Sequence, residues 1–328
     1  MSDLKHPTLS GIQRASRDLA HYLPPTPLVR SEILSNALDA DVWLKYEFTS
    51  PVASFKLRGA LTALLRAETN NEIPRAVTCS TGNHGQAVAY AARMTGLQAD
   101  IFLPSPPNPV KKAMIEAFGA TVHESGTYLE DAREAALAFC RSEGGLFVDD
   151  GESVDVMEGA GTVGLEIGQE LETVDWVVVP TGGGNLVSGT ATAMKELHPE
   201  ARVVAVQSES ASAIVESFHL GRAISKPAET FADGLAQGEP PALALEVMRE
   251  KVDEGWTVSE DGIRAAIHTL AESAHVLVEP AGAAGLAAAW ENREKLRGSL
   301  VVLVLTGANI SAQDLREALG VPPLFSLA

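Results

Sequence analysis

The chain is poor in cysteine: Cys79 and Cys140 are the only two in 328 residues. Two cysteines make no disulfide framework, so a reducing, cytoplasmic setting is the expectation. Basic residues are also scarce. Lysine and arginine number 25 against 43 acids, a net charge of −18 spread along the chain. Such a surface repels nucleic acid and anionic membrane, so neither partner is expected, and a small anionic ligand would need a local positive site. The polar start, residues 1–9, does not read as a secretory signal. No apolar run is long enough to span a bilayer. Internal repeats and low-complexity segments are missing too.

What is present is an alternation. Residues 42–47, 76–80, 99–103, 121–124 and 146–148 read as short strands, and 60–67, 86–94, 110–118 and 128–141 as the helices between them. Further on, Trp176-Val177-Val178-Val179-Pro180, residues 203–206 and the apolar run 300–305 read as buried strands. Residues 159–171, 187–197, 260–274 and 280–290 read as helices, and 221–238 as loop. Strand–helix alternation with short connections predicts parallel α/β layers, and the length predicts two domains.

Four stretches carry chemistry. In Ser54-Phe55-Lys56-Leu57-Arg58-Gly59-Ala60 a lysine stands at a helix start between apolar neighbours. The helix dipole and that setting both disfavour its charge, and a neutral amine is a nucleophile toward carbonyls. Thr181-Gly182-Gly183-Gly184-Asn185-Leu186 joins a buried strand to a helix. Three glycines let backbone N–H groups converge on a phosphate, while the missing Gly-Lys-Ser/Thr argues against a nucleoside triphosphatase. Ser80-Thr81-Gly82-Asn83-His84 sits at another strand-to-helix turn rich in donors, suited to a carboxylate. Thr306, in Leu305-Thr306-Gly307-Ala308-Asn309, puts a hydroxyl at a strand's carboxyl end, where parallel sheets bind ligands. Gly159-Ala160-Gly161-Thr162-Val163-Gly164 formally matches a dinucleotide fingerprint, but no good strand precedes it, and close helix packing accounts better for its glycines. A nucleophilic lysine together with a phosphate cradle points to pyridoxal 5′-phosphate as cofactor.

The motifs Ser-Phe-Lys-Leu-Arg-Gly-Ala at 54–60, Ser-Thr-Gly-Asn-His-Gly-Gln at 80–86, Gly-Gly-Gly at 182–184, Glu-Pro-Ala-Gly at 279–282 and Thr-Gly-Ala-Asn at 306–309 fall in order along nearly the whole chain. In them the sequence resembles the fold-type II pyridoxal-phosphate enzymes, in the branch of threonine/serine dehydratases (ammonia-lyases) and serine racemases. The resemblance implies a two-domain α/β fold like the tryptophan synthase β chain, each domain a mostly parallel sheet flanked by helices, with the cofactor between them. Residues 1–52 and 153–328 would form the large cofactor-binding domain and 53–152 the small substrate-binding one. It further implies Lys56 as the Schiff-base lysine and base, with Phe55 against the cofactor ring and Asn83 on its phenolic oxygen. Gly182, Gly183, Gly184, Asn185 and Leu186 would hold the phosphate, Thr306 would face the ring nitrogen, and Glu279 would lie near the ring or the substrate. Ser80, Thr81, Asn83 and His84 would take the substrate, with Thr81 also a candidate acid/base.

Against the family pattern, Asn185 replaces a fourth glycine, and Thr306 and Thr81 replace serines. Gln207 stands where many relatives carry the first acid of a divalent-cation site, so no metal is expected. The short stretch after Asn309 leaves no room for a C-terminal regulatory domain. The function implied is dehydration and deamination of L-threonine or L-serine to a 2-oxo acid and ammonia by a homo-oligomer, dimer or tetramer. A 3-hydroxyaspartate dehydratase, whose second carboxylate would call on a cation such as Arg58 or Arg133, or a serine racemase are the nearest alternatives. A non-catalytic binding protein on the same fold is the remaining one.

Overall fold

The computed structural model describes residues 5–69, 73–107 and 109–326, so the first four residues of the polar N-terminal stretch lie outside it. The chain opens with helix α1 (Leu9–Leu19), strand β1 (Leu28–Arg30), helix α2 (Glu32–Leu38) and strand β2 (Asp41–Tyr46). It continues through α3 (Lys56–Thr69), β3 (Arg75–Cys79), α4 (Asn83–Thr95), β4 (Gln98–Leu103), α5 (Pro109–Ala117), β5 (Thr121–Glu124), α6 (Leu129–Glu143) and β6 (Leu146–Phe147). Then come α7 (Val154–Glu170), β7 (Trp176–Pro180), α8 (Asn185–Leu197), β8 (Arg202–Ser208), α9 (Ala213–Leu220), α10 (Ala242–Lys251) and β9 (Glu254–Val258). The last elements are α11 (Glu260–Ser273), α12 (Pro280–Glu291), α13 (Arg293–Leu296), β10 (Leu300–Leu305) and α14 (Ala312–Leu319).

The strands form two sheets. One has six strands in the order β1-β2-β10-β7-β8-β9, the other four in the order β5-β4-β3-β6. All pairings are parallel except β1 with β2. The continuous valine runs of β7, β8 and β10 follow from burial on both faces. Val178, Val204 and Leu303 pack into one apolar cluster, while Val177, Val203 and Val302 pack into another. The smaller sheet repeats this pattern. Ile101 and Leu103 pack with Leu57, Leu61 and Leu64 of α3, and Phe102 turns the other way toward Ala132 and Ala136 of α6. Both domains are therefore α/β layers with helices on each face.

The glycines of 159–164 lie inside α7, not at a strand-to-helix turn. A Cβ on Gly159 would sit 2.6 Å from the Arg58 carbonyl, one on Gly161 2.9 Å from that of Gly189, and one on Gly164 2.7 Å from that of Thr190. Real Cβ atoms do not approach so closely, so these glycines seat α7 directly against the backbones of α3 and α8. The helix starts earlier than its periodicity suggests, because the Ser153 hydroxyl accepts from the Val156 N–H and caps it. The weak strand pattern of 155–158 is its first turn. This contact fixes α3, and hence Lys56, relative to α8 and the glycine loop.

Candidate active site

The predicted site residues leave the strand ends of both sheets and meet. From the small-domain side, Lys56 opens α3, and the turn at residues 80–84 links β3 to α4. From the large sheet, the glycine loop links β7 to α8, and Thr306 follows β10. A β-bridge joins Ser54 to Gly307, and the Phe55 N–H donates to the Thr306 carbonyl at 3.0 Å. Ala53 takes a left-handed conformation (φ 49°) just before this bridge, and its carbonyl accepts from the Ala308 N–H at 2.9 Å. Phe55 packs into the large sheet's core, and its ring centroid lies 5.0 Å from the Lys56 Nζ.

Asn83 is held from the opposite domain. Its amide donates to both Glu279 oxygens at 2.8 and 3.0 Å, and its Oδ1 accepts from Asn309 at 2.7 Å. Glu279 is buried, which pushes its carboxyl up despite the Asn83 donation that opposes the rise. Gly307 leaves room for it: a Cβ there would meet Glu279 Oε1 at 2.4 Å. Thr306 is buried, while Ser80 and Thr81 are half-buried, and the Ser80 hydroxyl accepts from the Gly82 N–H. The neighbouring Cys79 thiol, pushed up to about 12 by burial, is an inert side chain at the strand end.

The glycine loop is tight against the rest of the large domain. A Cβ on Gly182 would lie 2.4 Å from the Gly234 carbonyl, and Gly184 adopts φ 98°, a conformation open to glycine. Behind it α8 begins, so free N–H groups and the positive end of a helix face the loop. Two buried polar atoms here lack partners, Asn185 Oδ1 and His84 Nδ1. A lysine at a helix start, an anion cradle and unsatisfied buried polar atoms suit pyridoxal phosphate. The residues able to hold it are those already described: Phe55, Lys56, Asn83, residues 182–186, Glu279 and Thr306.

The surroundings of Lys56 differ from the apolar setting expected. Its Nζ donates to both oxygens of Asp150, at 2.7 and 2.5 Å. Burial alone would raise the Asp150 carboxyl, but the Lys56 ammonium, the His84 ring and the Asn185 amide outweigh it and hold the carboxyl below its ordinary range. Sequence reasoning passed over Asp150. Its signal was there: Asp149-Asp150 follows β6 at a strand's carboxyl end, where parallel sheets place ligand contacts. Asn185, expected among the phosphate-holding residues, donates from Nδ2 to Asp150 at 3.3 Å.

Three other residues are committed elsewhere. Arg58 is buried and bridges Glu47 and Glu166, at 2.7 and 2.6 Å. Arg133 pairs with Asp149 at 2.5 Å. Gln207, at the position of the family's first metal ligand, accepts from the Ile214 and Val215 N–H groups at 2.9 and 3.0 Å and so caps α9. Among the described residues, the one group of three possible ligands is half-buried His6 with exposed Glu246 and Glu250, none of them a predicted site residue. No helix among the described residues is long and apolar enough to cross a membrane.

Comparison with known proteins matches residues 19–307 to a family model described as pyridoxal-phosphate dependent enzyme. The chain is 38% identical over 306 residues to an L-threonine ammonia-lyase of Thermotoga maritima, covering 92% of this chain and 76% of that one. It is 30% identical over 305 residues to an L-threo-3-hydroxyaspartate ammonia-lyase of Saccharomyces cerevisiae, covering 93% of this chain and 94% of the other. Maize serine racemase superposes with a TM-score of 0.91 at 28% identity, over 96% of this chain and 98% of that one.

Proposed function

The chain belongs to the pyridoxal-phosphate dependent enzymes, and we propose that within that family it catalyses β-elimination on a small β-hydroxy amino acid, releasing a 2-oxo acid and ammonia. The observation that carries this reading is the meeting of Lys56 with the glycine loop through one shared partner. Asp150 contacts Lys56, and it also accepts from Asn185 at the start of α8. The names of the ammonia-lyase relatives agree with it.

In this reading Lys56 anchors the cofactor and then, once freed, takes the proton from the substrate Cα. The bound cofactor supplies the electron sink that makes that proton acidic. Residues 182–186 hold its phosphate through backbone N–H groups. Phe55 would pack on the ring, Asn83, oriented by Glu279 and Asn309, would bond the phenolic oxygen, and Thr306 would offer a hydroxyl to the ring nitrogen. A hydroxyl partner there would leave that nitrogen uncharged, which would favour prompt loss of a β-hydroxyl. The N–H groups and side chains of residues 80–84 orient the substrate carboxylate. Thr81 is the candidate for proton exchange opposite Lys56, the position on which a racemase activity would depend.

The domain limits that go with this reading are 1–52 and 153–328 for the large domain and 53–152 for the small one. A cytoplasmic homo-oligomer, dimer or tetramer, completes it. A 3-hydroxyaspartate substrate is favoured by the yeast relative, but both arginines that would meet its second carboxylate are already paired. The deciding experiment is a coupled 2-oxo-acid assay of the holoenzyme across L- and D-serine, L-threonine and both 3-hydroxyaspartate diastereomers. Product from L-threonine or L-serine supports the reading. A yellow protein that forms no 2-oxo acid from any β-hydroxy amino acid overturns it in favour of a non-catalytic role.

A further inference from the structure

Lys56 reaches its partner on a flexible four-carbon arm, whereas the segment that carries Asp150 is held from several sides. The Val148 N–H donates to the Val77 carbonyl at 2.8 Å. The Val148 carbonyl accepts from the Thr78 hydroxyl at 2.8 Å and, since a carbonyl only accepts, from the His84 Nε2–H at 2.9 Å. A Cβ on Gly183 would lie 3.1 Å from the Asp150 carbonyl, and one on Gly151 2.5 Å from the Pro241 ring. Residues 148–151 are thus wedged between β3, the start of α4 and the glycine loop. The carboxylate itself is steadied at Oδ1, where Asn185 Nδ2 donates at 3.3 Å and His84 Nδ1 lies 3.7 Å away. A fixed carboxylate, 2.7 and 2.5 Å from Nζ through its two oxygens, therefore sets where the mobile lysine rests.

The contact acts in opposite directions at two stages. An ammonium must lose a proton before it can attack a carbonyl, and a carboxylate touching it opposes that loss. In the cofactor-free protein Asp150 therefore slows the first use of Lys56. Once the substrate has displaced the lysine, the same contact helps. The substrate Cα–H bond breaks, its electron pair stays on the substrate, and the proton forms a new N–H bond on Nζ. The amine becomes an ammonium, and among the described residues Asp150 is the carboxylate that meets it. A group placed to stabilise a charge as it develops speeds the step that develops it. The pair is also open to water, with the Lys56 and Asp150 side chains 19% and 32% exposed, so the ammonium can trade its protons with solvent before one returns to Cα.

We propose that Asp150 is a positioning residue for Lys56, holding the lysine as an ammonium once it has taken the Cα proton. The proposal rests on the β-elimination reading above, in which Lys56 is the base, and adds the group that keeps the proton on Nζ. Charge is what the role requires. Asp150→Asn keeps the volume and an acceptor oxygen, but a neutral one, and a hydrogen bond with both partners ionised is the stronger kind.

The test reads the two stages apart. L-2-aminobutyrate has no β-hydroxyl to lose, so holoenzyme in deuterium oxide exchanges its Cα hydrogen without elimination, followed by proton NMR. The change in the cofactor's visible absorption gives its Kd. In Asp150→Asn the exchange should slow at least about tenfold, the low end for a hydrogen bond to a charged group. Its Kd should change by less than about twofold. Cofactor-free protein is then treated with formaldehyde and cyanoborohydride, which methylates uncharged amines. Lys56 is read by peptide mass spectrometry against the other lysines of the same digest. There Asp150→Asn should react at least about threefold faster. Asp150→Glu keeps the charge on a longer arm and should exchange faster than Asp150→Asn. Melting curves check folding, and Asp150→Ala repeats both measurements if the amide does not fold. Both rates slowed, neither changed, only one changed, a Kd that weakens with the exchange, or Asp150→Glu no faster than Asp150→Asn would overturn the proposal. A 2-oxo-acid assay with L-serine and L-threonine is run beside it. The opposed rate changes without 2-oxo acid support Asp150 and count against β-elimination. 2-Oxo acid without the opposed changes counts against Asp150.

Discussion

Arg58 stands two residues from Lys56, yet the structure gives it a purely internal task, and this can be tested. Lys45, Glu47, Arg58 and Glu166 form a buried network with two charges of each sign. Lys45 pairs with Glu166 at 2.6 Å, and the Lys45, Glu47, Arg58 and Glu166 side chains are 0%, 1%, 7% and 13% exposed. Arg58→Met keeps the apolar stem but leaves one negative charge without a partner. Breaking a buried pair from one side costs about 3–5 kcal/mol. A chain of this length unfolding as one unit loses ~1.5 °C of Tm per kcal/mol, so the variant should melt ~4–7 °C lower. Adding Glu47→Gln rebalances the charge, so the double variant should be more stable than additivity predicts, by on the order of 1 kcal/mol. The pH dependence has a fixed sign. Burial would raise the Glu166 carboxyl, but Arg58 and Lys45 outweigh it and hold it below the ordinary range. Its contribution is present above the unfolded value, about 4.3, and is lost as pH falls through the native one, so the gap between wild type and Arg58→Met should narrow in acid. Calorimetric melts across pH, with KM measured on the same proteins, are the assay. A variant that melts like the wild type but loses selectively in KM for 3-hydroxyaspartate would refute the structural role and return Arg58 to the substrate.

Three further outcomes follow from the same geometry. Lys56→Ala should abolish both the visible absorbance of the bound cofactor and turnover, read by spectrum and 2-oxo-acid assay; a fully active variant would end the assignment of Lys56. Gly307→Ala would place a methyl 2.4 Å from Glu279 Oε1 and push that carboxylate off Asn83. Overpacking of this kind costs about 1–3 kcal/mol, so pyridoxal phosphate, titrated into the apoprotein, should bind roughly tenfold more weakly, and an unchanged Kd would count against Asn83 as a cofactor contact. Burial raises the Glu279 carboxyl above its ordinary value, so the native cofactor-free protein holds that proton longer than the unfolded chain does. Stability should then fall as pH rises from about 4.3 through the native value, and Glu279→Gln should flatten that decline. Parallel Tm–pH curves for the two proteins would contradict the burial argument.

How far the sequence could be read depended on whether a residue's role was local. The strands of both parallel sheets announce themselves because burial on both faces demands apolar runs, as in Trp176–Pro180 and Leu300–Leu305. The glycine loop and the turn at residues 80–84 are legible because backbone geometry at a helix start restricts which residues fit. Elements with weaker patterns were passed over, among them β1, which pairs only along one edge, and β9, where Glu254 and Gly255 interrupt the apolar run. The Gly159–Gly164 segment shows the converse: its packing role was inferable, since a fingerprint without a strand before it has no turn to build. What no local rule supplies is the identity of a partner distant in sequence. Lys56 was expected among apolar groups because its chain neighbours are apolar, but residue 150 arrives through β6, and the α7 glycines hold α3 close to it. The same distance hid the destination of Arg58, whose partners Glu47 and Glu166 lie on either side of the small domain. The two cations of the lysine motif therefore face opposite ways. Arg58 is neutralised inside the fold by Glu47 and Glu166, whereas Lys56 turns into the site, where Asp150 alone of the carboxylates meets its ammonium among the described residues.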